Sequence, residues 1–183
     1  MSFFALLDYL QNGLPPVWKP GILSYQEFSE EVVRVHNDCR RRHKAYALRL
    51  NEELCTLTQG WADKLATLPE LAHSGNKYKG TRIGENIAMK WTYNKSMYKP
   101  QEVCDQWYSE VRNFVFGVEP TSPIVTAGHF TQMVWRNSTE IGVGRSQARD
   151  GRSIVVVSYF PPGNVVGEFT TNVLPHQGSE SHT

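Results

Sequence analysis

Apolar residues recur at helical intervals from Ser24 onward: Phe28, Val32, Val35 and Cys39 fall three or four apart, and Ser24 with Glu27 has the spacing of a capping box. The spacing predicts a helix over residues 25–43. A second helix is predicted after Asn51, a candidate N-cap, with Leu54, Leu57, Trp61, Leu65 and Leu68 on one face and Pro69 as its stop. A third starts at Pro100, whose missing N–H would have no partner in a first turn, and carries Val103, Trp107, Val111 and Phe114 inward. A fourth is expected over residues 127–135. The period then shortens: Ile141-Gly142-Val143-Gly144 and residues 153–159 read as strands split by the turn Arg149-Asp150-Gly151-Arg152. Ile87, Met89 and Trp91 alternate with Ala88 and Lys90, a further strand candidate.

This order of elements fills the middle of the chain. The first 23 residues, which carry Gly13, Pro15, Pro16, Pro20 and Gly21, discourage regular structure and read as an extension. A domain is expected over residues 24–172, the span that a family resemblance covers, and a polar tail over 173–183. With 183 residues and 40% hydrophobic content the chain has enough material for one domain and its core. Nineteen basic against 18 acidic residues leave a net charge of +1, which supplies no field for a phosphate backbone, so nucleic acid is excluded as a partner. The run Arg40-Arg41-Arg42-His43-Lys44 is expected at the end of the first helix, where cations meet the carbonyl end, with a lipid or polyanion site as the alternative.

Cys39, Cys55 and Cys104 are odd in number and fall on predicted helices, so they are expected to be buried and reduced rather than a disulfide framework. The N-terminal apolar stretch is broken by Asp8 and lacks a basic start, unlike a signal peptide, and no window approaches the roughly 20 apolar residues of a membrane span. An intracellular protein, cytoplasmic or peripheral at a membrane, is expected. Without secretion the sequons at Asn94 and Asn137 carry no meaning.

Candidate chemistry is scattered. Glu110 lies three residues beyond Trp107, near the inward face of its helix, and a carboxylate there needs a partner. His36 adjoins the apolar stripe of the first helix and is read as a hydrogen-bonded packing residue, while Asn37 is suited to bridging to a neighbouring loop. Pro161-Pro162-Gly163-Asn164 reads as backbone architecture, with asparagine capping neighbouring amides. Trp91, Tyr93, Met97 and Tyr98 form an aromatic segment that is either a packed loop or an apolar contact surface.

Two longer stretches change the picture. Gly128-His129-Phe130-Thr131-Gln132-Met133-Val134-Trp135 and residues 159–167, beginning Tyr159-Phe160-Pro161-Pro162-Gly163-Asn164, resemble the two signatures of the CAP superfamily of cysteine-rich secretory, venom-antigen and pathogenesis-related proteins. His73, Gly84-Glu85-Asn86-Ile87-Ala88 and Trp107-Tyr108-Ser109-Glu110 resemble further motifs in the same order, and the likeness covers roughly residues 24–172. The family resemblance implies an α+β fold, a three-layer α-β-α sandwich with a mainly antiparallel sheet and the hairpin at its centre. It also implies that His73, Glu85, Glu110 and His129 share one cavity, which spacing alone cannot show.

Two neutral imidazoles with two carboxylates suit zinc or a related divalent ion. The function this implies is a non-catalytic module that binds a divalent metal and meets lipid, sterol, a membrane surface, a protein partner or a second copy of itself. A metal-dependent hydrolase or peptidase using the same tetrad is the competing reading, although no Gly-x-Ser-x-Gly elbow accompanies it. The scarcity of cysteines resembles the intracellular Golgi-associated subgroup. Ser2 stands where those members have the glycine needed for myristoylation, and Phe3, Phe4, Leu7 and Leu10 could serve as an amphipathic contact instead.

Overall fold

The computed structural model describes residues 23–121 and 126–176. The extension and its Phe3, Phe4, Leu7 and Leu10 face, like the chain from residue 177 onward, lie outside the described residues.

Helix α1 (Tyr25–Arg42) begins on the predicted capping box: the Ser24 hydroxyl accepts from Glu27 N, and the Glu27 carboxylate from Ser24 N. Its inward stripe is the predicted one, Phe28, Val32, Val35 and Cys39, all buried. Asn37 bridges to Leu48 through both amide atoms, at 2.8 and 3.1 Å. Strand β1 (Arg49–Leu50) then leads through the N-cap Asn51 into α2 (Glu52–Leu65). A short hairpin, β2 (Lys77–Tyr78) and β3 (Thr81–Arg82), precedes β4 (Gly84–Lys90). Helix α3 (Pro100–Tyr108) tightens into a 3₁₀ turn, Ser109–Asn113, before the short α4 (Gly128–Met133). Strands β5 (Glu140–Gln147) and β6 (Ser153–Phe160) and the single turn α5 (Phe169–Asn172) complete the order.

The main sheet runs β1-β5-β6-β4, antiparallel throughout except for β1 with β5, and the β5–β6 hairpin occupies its centre. Alternation along β6 defines the layers. Val155, Val157 and Tyr159 join the large core under α1, α3 and α4, whereas Ile154 and Val156 face Ala62 and Leu65 of α2. Ser158 lies buried on the α2 side, where its hydroxyl is hydrogen-bonded to that of Thr58 at 2.7 Å. Helices thus cover both faces of a mixed four-stranded sheet, the expected α+β sandwich.

Three local expectations are corrected. The buried stripe of α2 is Leu54, Cys55, Thr58, Gln59, Ala62 and Leu65, rotated from the predicted leucine face, with Leu57, Trp61 and Leu68 only part-buried. The cause lies on β5: a methyl at Gly142 would sit 2.5 Å from the Leu54 carbonyl carbon, and one at Gly144 would sit 2.6 Å from Thr58 O. Backbones that close admit only a face of short or flexible side chains. Second, β4 stops at Lys90, so Trp91 falls beyond the strand, and both Ile87 and Ala88 are buried because the strand is covered on two sides. Third, the basic run is not a uniform surface. Arg40 is buried, and its guanidinium donates to the carbonyls of Tyr46, Met133, Trp135 and Ser138 at 2.7–3.0 Å. His43 is buried too, with Nδ1 2.6 Å from Leu174 O and Nε2 2.9 Å from the Tyr108 hydroxyl. The chain expected to turn into a tail after residue 172 is therefore still packed at Val173 and Leu174.

His36 is the packing residue expected. Its Nδ1 lies 2.8 Å from Val32 O, which can only accept, so Nδ1 carries the proton and Nε2 accepts from the Tyr159 hydroxyl at 2.8 Å. Burial pushes the ring's pKa down to about 4, in keeping with a neutral ring. All three cysteines are buried and free, as expected, and burial raises each thiol.

A candidate metal centre

Four elements contribute the site. His73 stands in the loop between α2 and β2, Glu85 is the second residue of β4, Glu110 falls in the 3₁₀ turn, and His129 is the second residue of α4. Sequence separation hides a cavity of about 320 Å³ that all four line, with Asn86, Thr126, Gly128 and Asn164 completing its wall.

Within the cavity the four side chains form two imidazole–carboxylate pairs. His129 Nδ1 lies 2.7 Å from Glu110 Oε1, and Glu110 Oε2 accepts from the backbone N–H groups of His129 and Phe130 at 2.9 and 3.3 Å. The carboxylate thus holds both the ring and the first turn of α4. Burial raises the Glu110 pKa, but the bonds from His129 and the two amides outweigh it and leave the group below the ordinary range. His73 Nδ1 lies 2.8 Å from Glu85 Oε1, which also accepts from Ser74 N at 3.0 Å. The bond to Glu85 raises the His73 pKa. The second oxygen, Glu85 Oε2, is buried with no hydrogen-bond partner.

The pairs differ in exposure. The His73 side chain is 70% exposed over a Glu85 side chain only 5% exposed, whereas His129 is 39% exposed and stacks on Trp107, with ring centroids 6.0 Å apart and planes 17° apart. Among the described residues no group of three or more His, Cys, Asp and Glu stands close enough to hold one ion. The geometry is two oriented imidazoles facing one cavity.

The resemblance pointed to the four tetrad residues; Asn86, Trp107 and Thr126 went unassigned. Asn86 belongs to the Gly84–Ala88 motif, yet nothing in spacing distinguishes an amide that shapes a cavity from one that solvates a turn. Residues 161–164 are architectural, as expected, but Asn164 works differently from the predicted cap. It donates to the Gly128 carbonyl at 2.9 Å and accepts from the Thr131 hydroxyl at 2.6 Å, fixing the loop to α4. Gly163 N donates to Gln132 Oε1 at 2.9 Å, and a methyl at Gly163 would sit 2.7 Å from Gln132 and Trp135 side-chain atoms.

This fold and this paired arrangement define a CAP domain, and the chain belongs to that family: residues 33–160 match the Cysteine-rich secretory protein family. It is 41% identical over 154 residues to Golgi-associated plant pathogenesis-related protein 1 of Homo sapiens, across 82% of this chain and 94% of the relative. Protein PRY2 of Saccharomyces cerevisiae is 34% identical over 151 residues, 81% of this chain and 42% of that protein. Among solved structures, NaASP2 with Zn2+ superposes with a TM-score of 0.64 at 20% identity, covering 86% of this chain and 90% of that one. Hookworm Platelet Inhibitor gives 0.60 at 17% identity over 87% and 80%. Likeness at those identities establishes the fold.

Proposed function

We propose that this chain is a non-catalytic CAP module whose cavity binds a divalent metal, zinc by donor chemistry, through His73 and His129, and whose surface meets a lipid or protein partner. The observation that carries the reading is the pairing. Each imidazole gives Nδ1–H to a carboxylate, which fixes the tautomer and leaves Nε2 as the coordinating nitrogen, the arrangement that supports metal-bound histidine elsewhere. Glu85 Oε2, buried and unpartnered, is an oxygen that a nearby cation or its water would satisfy. A protein of the same fold has been solved with zinc.

Calorimetric zinc titration tests this. The wild type is expected to bind, the double variant His73→Ala, His129→Ala to lose most of the binding, and Glu85→Gln or Glu110→Gln to weaken it by about ten- to a hundredfold, the range found when partners of a metal ligand are removed. Equal affinity in wild type and the double-histidine variant would refute the site.

The hydrolase alternative rests on Glu85, since both Glu110 oxygens are engaged by His129 and Phe130. Zinc, if bound, would acidify a water, and of the two site carboxylates Glu85 is the one with an uncommitted oxygen that could take its proton. Zinc-dependent peptidase activity lost in Glu85→Gln would establish it.

The partner reading places a membrane surface, lipid or sterol against Trp91 and Tyr93, which are exposed, while Tyr98 from the same segment is buried. A second copy of the chain is the protein partner of this class. An intracellular protein, cytoplasmic or peripheral at the Golgi membrane, is the location proposed, and the human relative's name, Golgi-associated, supports the Golgi part of it.

A further inference from the structure

His129 is held from more directions than its carboxylate. Asn86, on β4 and 1% exposed, donates from Nδ2 to the His129 carbonyl at 3.0 Å and to the Tyr159 hydroxyl at 3.1 Å. One amide nitrogen carries two hydrogens, so it satisfies both acceptors at once. The Tyr159 hydroxyl passes its own proton bond to His36 Nε2, and His36 Nδ1 ends the chain on Val32 O. A single line of hydrogen bonds therefore runs from the His129 carbonyl through β4 and β6 into α1, and the side chains that carry it, Asn86, Tyr159 and His36, are all buried. Glu110 of the 3₁₀ turn thus holds the His129 ring and amide, Trp107 of α3 covers the ring face, and Asn86 of β4 holds the carbonyl. Among the described residues, the bond to Glu85 is what comparably fixes the His73 ring.

We propose that Asn86 is a positioning residue of the cavity: it sets the His129 backbone against β4, so that one imidazole is preorganised while the exposed His73 is the one that adjusts to an incoming ion. A metal site with one fixed and one adjustable imidazole loses affinity when the fixed one is released, because the cost of ordering both rings then falls on binding. The affinity part of this inference rests on the metal reading; the placement of His129 does not.

The test therefore has two arms on the full-length chain. In the metal-free protein, the ring-current displacement of the His129 Hδ2 and Hε1 resonances by Trp107 measures ring placement; Asn86→Ala is expected to diminish it, with Asn86→Ser, a smaller perturbation, used if the alanine variant does not fold. Tyr159→Phe is the matched control, since it breaks the same chain at its core end but leaves the Asn86–His129 bond. It is expected to lower Tm while keeping the displacement. In the second arm, zinc affinity is expected to fall about tenfold or more in Asn86→Ala and to stay near wild type in Tyr159→Phe. Unchanged resonances in Asn86→Ala, or losses in the two variants that simply follow their Tm values, would overturn the proposal. Absence of zinc binding in the wild type would overturn the metal reading, and the resonance arm alone would then decide the role of Asn86.

Discussion

Single residues illustrate why identity and environment must be read together. His36 and His43 were both visible on the first helix, and the apolar stripe marked His36 for the core, but nothing separated Arg40 from Arg41 and Arg42. The difference is one of angle. Arg40 lies one turn beyond the buried His36 and donates to the carbonyls that close α4, whereas Arg41 and Arg42 face water. The buried histidine has a measurable consequence. In the folded chain its pKa is about 4 against an ordinary 6.5, so between those values the unfolded chain binds a proton that the folded chain refuses. Stability is therefore full above pH 6.5, falls as pH drops toward 4 and levels below it, by about 3 kcal/mol for this ring alone. His43, also lowered by burial, steepens the same limb. Urea unfolding from pH 7 to 4 should show this loss, and His36→Gln should remove about one proton from the slope. An unchanged slope would mean that His36 is already charged in the folded state.

At the scale of elements, caps and periodicity were legible, and close approaches were not. Ser24, Asn51 and Pro100 mark the observed helix starts because each acts through its own neighbours. The orientation of α2 depends instead on Gly142 and Gly144, far along the chain on β5, which let the helix backbone settle onto that strand. Leucine spacing alone therefore selected the wrong face. Substitution separates this contact from a generic glycine effect. Gly144→Ala forces a methyl against the Thr58 and Gln59 backbone and is expected to cost about 2 kcal/mol, lowering Tm by roughly 5 °C. Gly60→Ala, on the exposed side of the same helix with nothing within 4 Å, is expected to raise stability by about 0.5–1 kcal/mol. Thermal melts that ranked the two the other way would mean that the glycines of β5 do not govern the packing of α2.

For the whole molecule, the family and the layered fold followed from motif order, while the cavity became visible only when four distant elements were brought together. The same view reduces the basic surface that the chain seemed to offer. With Arg40 and His43 buried, Arg41 bound to Asp38 and Arg42 resting on Tyr108, the local field is weaker than five consecutive basic residues suggest. Net charge of +1 adds nothing at long range. Binding to acidic vesicles is accordingly expected to be weak and to fade as salt rises from about 0.05 to 0.15 M. Flotation across that series checks it; binding that persists, and is lost in a Trp91→Ala, Tyr93→Ala variant, would assign the contact to the aromatic segment.

The stacked pair of Trp107 and His129 also makes the cavity self-reporting. An indole lying nearly parallel to an imidazole is sensitive to the ring's electronic state, and Trp107 is shielded from solvent while Trp91 is not. Iodide should therefore extinguish the emission of Trp91 and leave that of Trp107 and of the equally buried Trp135, so that a cation captured by His129 registers as a change in the protected fluorescence that is absent in Trp107→Phe. Occupancy of an otherwise colourless site would then be followed in real time, in unlabelled protein, at concentrations far below those calorimetry requires.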